Sequence, residues 1–185
     1  MTFLLGLAAA LAAVFLVWLI VVFNGLVGMR NRVRNGWAEI DVQLKRRHDL
    51  VPQLVETAKG YMQHERATFE AVTQARIQAS AAGSNIIARS AAEASLTAAL
   101  SQLLVRTENY PVLRAVENMK LLQEQLTSTE NRIAFARRFY NDEVMKYNTA
   151  LMTFPRNLCA RPLGFSVCAQ FSAEPSDRSP VQVKL

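Results

Sequence analysis

The stretch FLLGLAAALAAVFLVWLIVVF, residues 3–23, carries no charge, no proline and no amide side chain. As a helix rising 1.5 Å per residue it would be ~31 Å long, close to the hydrocarbon thickness of a bilayer. A membrane span here leaves about 160 residues beyond Asn24, room for one modest core in water. A cleaved secretory signal wants a basic start, an apolar core of roughly 7–15 residues and a small-residue cut site. Only Met1 and Thr2 precede the apolar run, the run is longer, and Phe23-Asn24-Gly25 cleaves poorly, so an uncleaved signal anchor is the better reading. With no cysteine before Cys159, a lipoprotein attachment is not expected.

Orientation follows from the flanks. No basic side chain precedes the span, whereas Arg30, Arg32 and Arg34 follow it, then Lys45, Arg46 and Arg47. The positive-inside rule therefore places the N-terminus outside and the C-terminal body in the cytoplasm. Cys159 and Cys168 would be free thiols in that reducing compartment; with inverted topology they could close a small loop. The formal charge of +6 favours an anionic partner, lipid headgroups or nucleic acid. Only seven glycines and six prolines occur, two of the prolines in the last eleven residues, so little interrupts helices and the body reads as all-α.

Apolar side chains recur at Val33, Trp37, Ile40, Leu44, Val51, Leu54, Val55, Ala58, Met62, Phe69 and Val72, in steps of three and four with an occasional seven. This is one stripe of an amphipathic helix, continuous with the span and running to about residue 79. His48-Asp49-Leu50-Val51-Pro52 is where it could break, but the stripe stays in phase from Leu44 to Val51, which favours a kink over a reversal. Residues 80–89 read as a loop. Ser90 and Glu93 have capping-box spacing, so a second helix starts there, carries Leu96, Leu100, Leu103 and Leu104, and ends near Tyr110, before Pro111. Pro111 opens a third helix running to about Phe154, with its stripe at Val112, Val116, Met119, Leu122, Leu126, Ile133, Ala136, Tyr140, Val144, Tyr147 and Leu151. The polar interval over 127–131 implies a polar layer in the bundle. The pattern divides the chain into an anchor over 1–24, a helical body over 25–158 and a tail over 159–185, irregular and partly mobile from 161.

Little in the sequence carries catalytic chemistry. His64-Glu65 lacks the second histidine of a zinc-protease helix, because position 68 is Thr. His48 beside Asp49 or Asp41 has no third ligand nearby and reads as a capping or ion-pairing cluster. There is no glycine-rich phosphate loop and no serine in a nucleophile elbow. No catalytic, cofactor or metal site is expected. Arg30, Arg32 and Arg34 would lie ~10–17 Å beyond the bilayer core if the helix continues. They either contact lipid headgroups, at about 1 kcal/mol each, or only set topology. Lys45, Arg46 and Arg47, ~33–36 Å out, pair more naturally with acidic groups on neighbouring helices. Arg137, Arg138, Asn141 and Asp142 complement Asp41, Arg46 and Arg47, and with Trp37 and Tyr140 form a candidate packing or assembly set. Nucleic acid is not an expected partner, since the basic residues are spread along an amphipathic helix without interleaved aromatics. Gly6 and Ala10, Ala8 and Ala12, and Ala9 and Ala13 are small pairs that permit close helix approach in the span.

The strings Asn24-Gly25-Leu26-Val27, Arg30-Asn31-Arg32-Val33-Arg34-Asn35 with Trp37, and Ile40-Asp41-Val42-Gln43-Leu44-Lys45-Arg46-Arg47 with His48-Asp49-Leu50-Val51-Pro52 strongly resemble the LemA family of bacterial membrane proteins. The resemblance continues through Leu54-Val55-Glu56-Thr57, Gly60-Tyr61 and His64-Glu65. It resumes at Glu108-Asn109-Tyr110-Pro111, Thr129-Glu130-Asn131-Arg132-Ile133-Ala134, Ala136-Arg137-Arg138-Phe139-Tyr140-Asn141-Asp142, Tyr147-Asn148 and Phe154-Pro155. Gly164-Phe165 and Pro180-Val181 echo the family's ending, whereas Cys159-Ala160-Arg161-Pro162 and Cys168 look atypical. The resemblance implies a membrane-anchored up-and-down four-helix bundle in a bacterial inner membrane, with no enzyme activity. It also implies kinship with a LemA-like protein used in building magnetosome membranes. The expected function is a scaffold whose cytoplasmic body self-associates, as a homo-oligomer, or docks other membrane proteins. The alternative is a membrane-shaping module that binds anionic lipid through Arg30, Arg32 and Arg34.

Overall fold

Nothing from Thr2 to Lys59 stops a helix except Pro52, and in the structure, a computed structural model that describes residues 1–83 and 85–171, that whole range is one helix, α1. There follow α2 (Arg66–Ala81), α3 (Ile86–Thr107), α4 (Pro111–Ala115), α5 (Glu117–Met152) and α6 (Arg156–Ala160), with no strand among the described residues. The fold is all-α, as its periodicity requires. The apolar start of α1 is long enough to cross a membrane, and only 6% of its most apolar window is buried within the protein, as a lipid-facing span should be.

Three boundaries differ from the sequence reading. The first helix ends at Lys59, and the chain reverses through Gly60–Glu65 into α2 instead of continuing to residue 79. The stripe gave no warning, because α1 and α2 point their apolar faces at one core and Met62 plugs that core from the turn itself. The next helix starts at Ile86, capped by Asn85, whose Oδ1 accepts from the amides of Ile87 at 3.0 Å and Ala88 at 3.2 Å. Ser90 and Glu93 are therefore buried inside α3 and cap nothing. Finally, Val116 is extended, which separates the short α4 from α5.

The described chain forms two compact units, Met1–Ala38 with Arg138–Gln170, and Glu39–Arg137 with Phe171. In the second, α1, α2, α3 and α5 surround a core that includes Val51, Leu54, Val72, Leu96, Leu103 and Leu126. Cross-links set the directions. The end of α1 turns into the start of α2, while Arg76 and Ser80, toward the end of α2, reach back to His48. Arg89 meets Asp41 and Arg106 meets Glu65, so α3 runs parallel to α1. The result is an up-and-down bundle.

In the first unit α5 runs antiparallel to α1. Gly36 permits their close approach: a methyl group there would come within 3.3 Å of Tyr140 Cα and 3.4 Å of the Phe139 ring. Trp37 meets Tyr140 edge-on at 5.6 Å between centroids, and Arg32 meets Glu143 at 3.2 Å. The segment after α6 is irregular and is fastened down through Ala169. Gly164, at φ +76°, makes a left-handed turn in which Gly164 N–H donates to Arg161 and Phe165 N–H to Ala160, a Schellman closure. Beyond it Asn148 and Cys168 exchange two 2.9 Å hydrogen bonds, and Tyr140 Oη donates to Ala169 O at 2.8 Å. Pro175, Pro180 and Val181 lie outside the described residues.

Candidate functional site

Pro52 has no N–H, so the carbonyl of His48, four residues earlier, loses its helical partner. Arg76 of α2 replaces it, Nε donating to His48 O at 2.8 Å. That is why α1 passes through Pro52 without breaking. The same level holds a chain of polar side chains. Ser80 Oγ lies 3.3 Å from His48 Nδ1, and His48 Nε2 lies 3.0 Å from Glu93 Oε1. Glu93 Oε2 is ion-paired with Arg47 Nη2. Arg47 Nη1 donates to Thr97 Oγ1 at 2.9 Å and to the Glu130 carboxylate at 2.9 and 3.1 Å. One guanidinium thus joins α1, α3 and α5, with α2 tied in through His48, and Arg47 is only 1% exposed.

The electrostatics are those of a buried cation paired with two carboxylates. Burial works against charge on Arg47, but the carboxylates of Glu130 and Glu93 outweigh it and the guanidinium is pushed up. Burial likewise opposes charge on Glu93, yet the His48 hydrogen bond and the Arg47 charge win and hold it below its ordinary 4.5. With two carboxylates spent on one permanently charged cation, this arrangement holds helices together.

The first unit has a second cluster. Glu143, 7% exposed, receives Arg32 at 3.2 Å and Lys146 at 2.7 Å. Arg30 lies over the Phe165 ring at 5.1 Å, and Phe165 meets Phe23, the last residue of the apolar stretch, at 5.6 Å. Burial pushes the Cys168 thiol up against the pull of Arg30 and Arg34, and burial with Cys168 nearby pushes Tyr140 up to about 12. Neither group is primed as a nucleophile or base near neutral pH. Among the described residues no three His, Cys, Asp or Glu side chains converge as a metal site.

A protein-family model described as the LemA family matches residues 36–185, which include the whole Arg47 cluster and Glu143 and Phe165 of the second. The chain belongs to the LemA family. Its LemA body is similar to Magnetosome protein MamQ 2 of Paramagnetospirillum magneticum, 23% identical over 90% of this chain and 71% of that protein. It is also similar to Magnetosome protein MamQ of Magnetospirillum gryphiswaldense, 22% identical with the same coverage. Protein LemA of Metamycoplasma hominis is 24% identical over 84% of this chain and 71% of its own length.

Within this LemA-family chain the residues singled out from sequence have varied surroundings. Arg47 finds acidic partners on neighbouring helices, as expected of the basic run, and Glu130 lies in the polar interval of 127–131; Arg46 is exposed. Asp41 pairs with Arg89 at 2.7 Å. Arg137 lies 5.9 Å from the Phe171 ring, Trp37 and Tyr140 pack together, and Arg138 and Asp142 are exposed. Of the juxtamembrane arginines, Arg30 stacks on Phe165, Arg32 pairs with Glu143 and Arg34 is exposed. Glu143 and Arg76 went unnoticed, and Glu93 was read as half of a capping box. Glu93 is a charge on the leucine-bearing face of α3, three residues before Leu96, and that was the available signal.

Three consequences can be measured by chemical denaturation in detergent. Arg76→Ala orphans the His48 carbonyl and should cost about 1–3 kcal/mol. Pro52→Ala restores the lost amide, so the double variant should recover most of that loss, and additive losses would refute the carbonyl's role. Arg47→Met strands two carboxylates and should cost about 3–5 kcal/mol. Because Glu93 is held below 4.5, the folded state binds fewer protons than the unfolded one just below that pH. Its contribution is complete above 4.5 and is lost as pH falls through the lower folded value, so Glu93→Gln should flatten the acid limb of the stability profile.

Proposed function

We propose that this chain is a membrane-anchored, non-enzymatic scaffold whose helical body self-associates or docks other membrane proteins. The observation that carries the reading is that the buried Arg47 charge is met by Glu93 and Glu130 of its own bundle. With that buried cation paired inside the bundle, outward surfaces, not a reactive centre, are left to do the work. The LemA family membership and the magnetosome proteins among its relatives support a role in membrane organisation. Arg30, Arg32 and Arg34 support a bacterial inner-membrane topology with the N-terminus outside and the body cytoplasmic. A lipid-binding reading of these arginines draws support from Arg32, whose side chain stays 57% exposed despite its pairing.

Light scattering of the full-length protein in mild detergent, corrected for bound detergent, should give one mass of several chains that persists on dilution. A monomer at every concentration would overturn self-association and leave docking as a tether. Topology is checked on intact cells with a membrane-impermeant maleimide: Cys159 and Cys168 should label only after the inner membrane is opened, and labelling before that would invert the orientation.

A further inference from the structure

The end of α5 turns through Pro155 into α6 and presents large apolar side chains outward. Met152 is 67% exposed, Phe154 74%, Leu158 64% and Val167 67%. Leu151, Met152, Asn157, Ala160, Arg161, Phe165 and Val167 help to line one crevice of about 610 Å³, so Met152 and Val167 share its walls. Residues 152–171 contain no Asp or Glu, while Arg156 and Arg161 are exposed. Glu143, on the preceding turns of α5, is already neutralised by Arg32 and Lys146.

Position within the first unit names what covers this surface. The Phe165 ring touches both Phe23 and Arg30. Those residues mark the end of the apolar span and a point ~10 Å beyond it. The headgroup layer of one leaflet is roughly 5–8 Å deep. Phe165 therefore lies at headgroup level. The antiparallel pairing points the same way: with Gly36 against Tyr140 and Arg32 against Glu143, one step along α5 matches one step back along α1. Carried to the end of α5, Met152 falls level with Asn24, at the border of the hydrocarbon, and Phe154 follows in the turn.

We propose that the α5–α6 corner is a second membrane contact, in which Met152, Phe154 and Leu158 enter the leaflet that α1 leaves while Arg156 and Arg161 meet its anionic headgroups. The span supplies the anchor and the corner fixes how the first unit stands on the surface, since one helix alone can rotate about its axis and tilt. An apolar rim with basic neighbours and no acid is the composition of an interfacial segment. This inference rests on α1 crossing a bilayer.

The test uses the full chain in phosphatidylcholine–phosphatidylglycerol vesicles, with Cys159→Ser and Cys168→Ser as background. Nitroxides are attached at Phe154→Cys, Leu158→Cys, Val14→Cys in the span and Ile87→Cys, an exposed site of the other unit. Collisions with oxygen, which concentrates in lipid, are compared with those of a water-soluble nickel chelate. At positions 154 and 158 the oxygen-to-nickel ratio should exceed that at 87 several-fold and approach that at 14. A ratio equal to that at 87 would mean that the corner is in water, and the proposal falls. Low access to both agents would mean that protein covers it, which overturns the lipid assignment in favour of another chain. If position 14 itself reads as water, the anchor fails and the corner contact with it.

Discussion

A guanidinium taken out of water must be met by negative charge, and the helical bundle is organised around that requirement at Arg47. Removing such an ion from water costs several kcal/mol even after relaxation, so the structure is tolerable only in the arrangement that brings Glu93 and Glu130 to it. The apolar stripes alone do not demand this. Leucine, alanine and valine faces can slide past one another by a turn at modest cost, whereas a guanidinium held by carboxylates from two helices is satisfied at one register only. The hub also lies one turn from the only proline in the membrane-proximal helix. Arg76 closes the carbonyl that Pro52 opens, and His48 contributes its backbone to one contact and its ring to others, so the backbone defect and the buried charge are handled at one level.

The other unit meets a different constraint. Where α1 leaves its apolar stretch it must acquire neighbours quickly, because a lone amphipathic helix exposes its stripe. Gly36 lets α5 approach, Trp37 and Tyr140 fill the crossing, and Leu26 and Val33 are buried further along. The chain then returns: the Gly164 turn reverses it, and Asn148 holds the backbone of Cys168 as a neighbouring strand would, donor to acceptor and acceptor to donor. An irregular segment with few backbone partners of its own gains order from a single amide side chain.

Much of this was legible beforehand, for reasons that differ by residue. The span, the all-α class and the stripe of α5 follow from periodicity and length, which local sequence carries. The polar layer was visible as an interruption at 127–131 that kept its phase, and Glu130 fills that role. The reversal at Gly60 was hidden because both arms of the hairpin share one core, so their stripes concatenate into an apparent single helix. Glu93 was misread because Ser90-Ala91-Ala92-Glu93 satisfies the spacing of a capping box as well as that of a helix interior; only a partner forty-six residues away, Arg47, decides between them. Asp41 was aimed at Arg137 and Arg138 by charge alone, and Arg89 meets it. Long-range pairing among like candidates is what a single sequence leaves open.

The same constraints bear on where activity can reside. A catalytic group needs a titration near the working pH and room for a second molecule. Arg47 cannot give up its proton and has both Nη atoms engaged, Glu93 is held charged, and Tyr140 and Cys168 are pushed away from ionisation. Each of these shifts has a structural cause within the bundle itself: a cation met by its anions, or a polar group sheltered by packing. Apolar side chains that the fold could have turned inward are instead exposed at the corner where α5 ends, beside arginines and level with the end of the span. Leaving three large apolar groups in water forgoes about 1.5–3 kcal/mol each. Against lipid that loss disappears, and beside a helix long and apolar enough to cross a bilayer the corner lies where that medium begins.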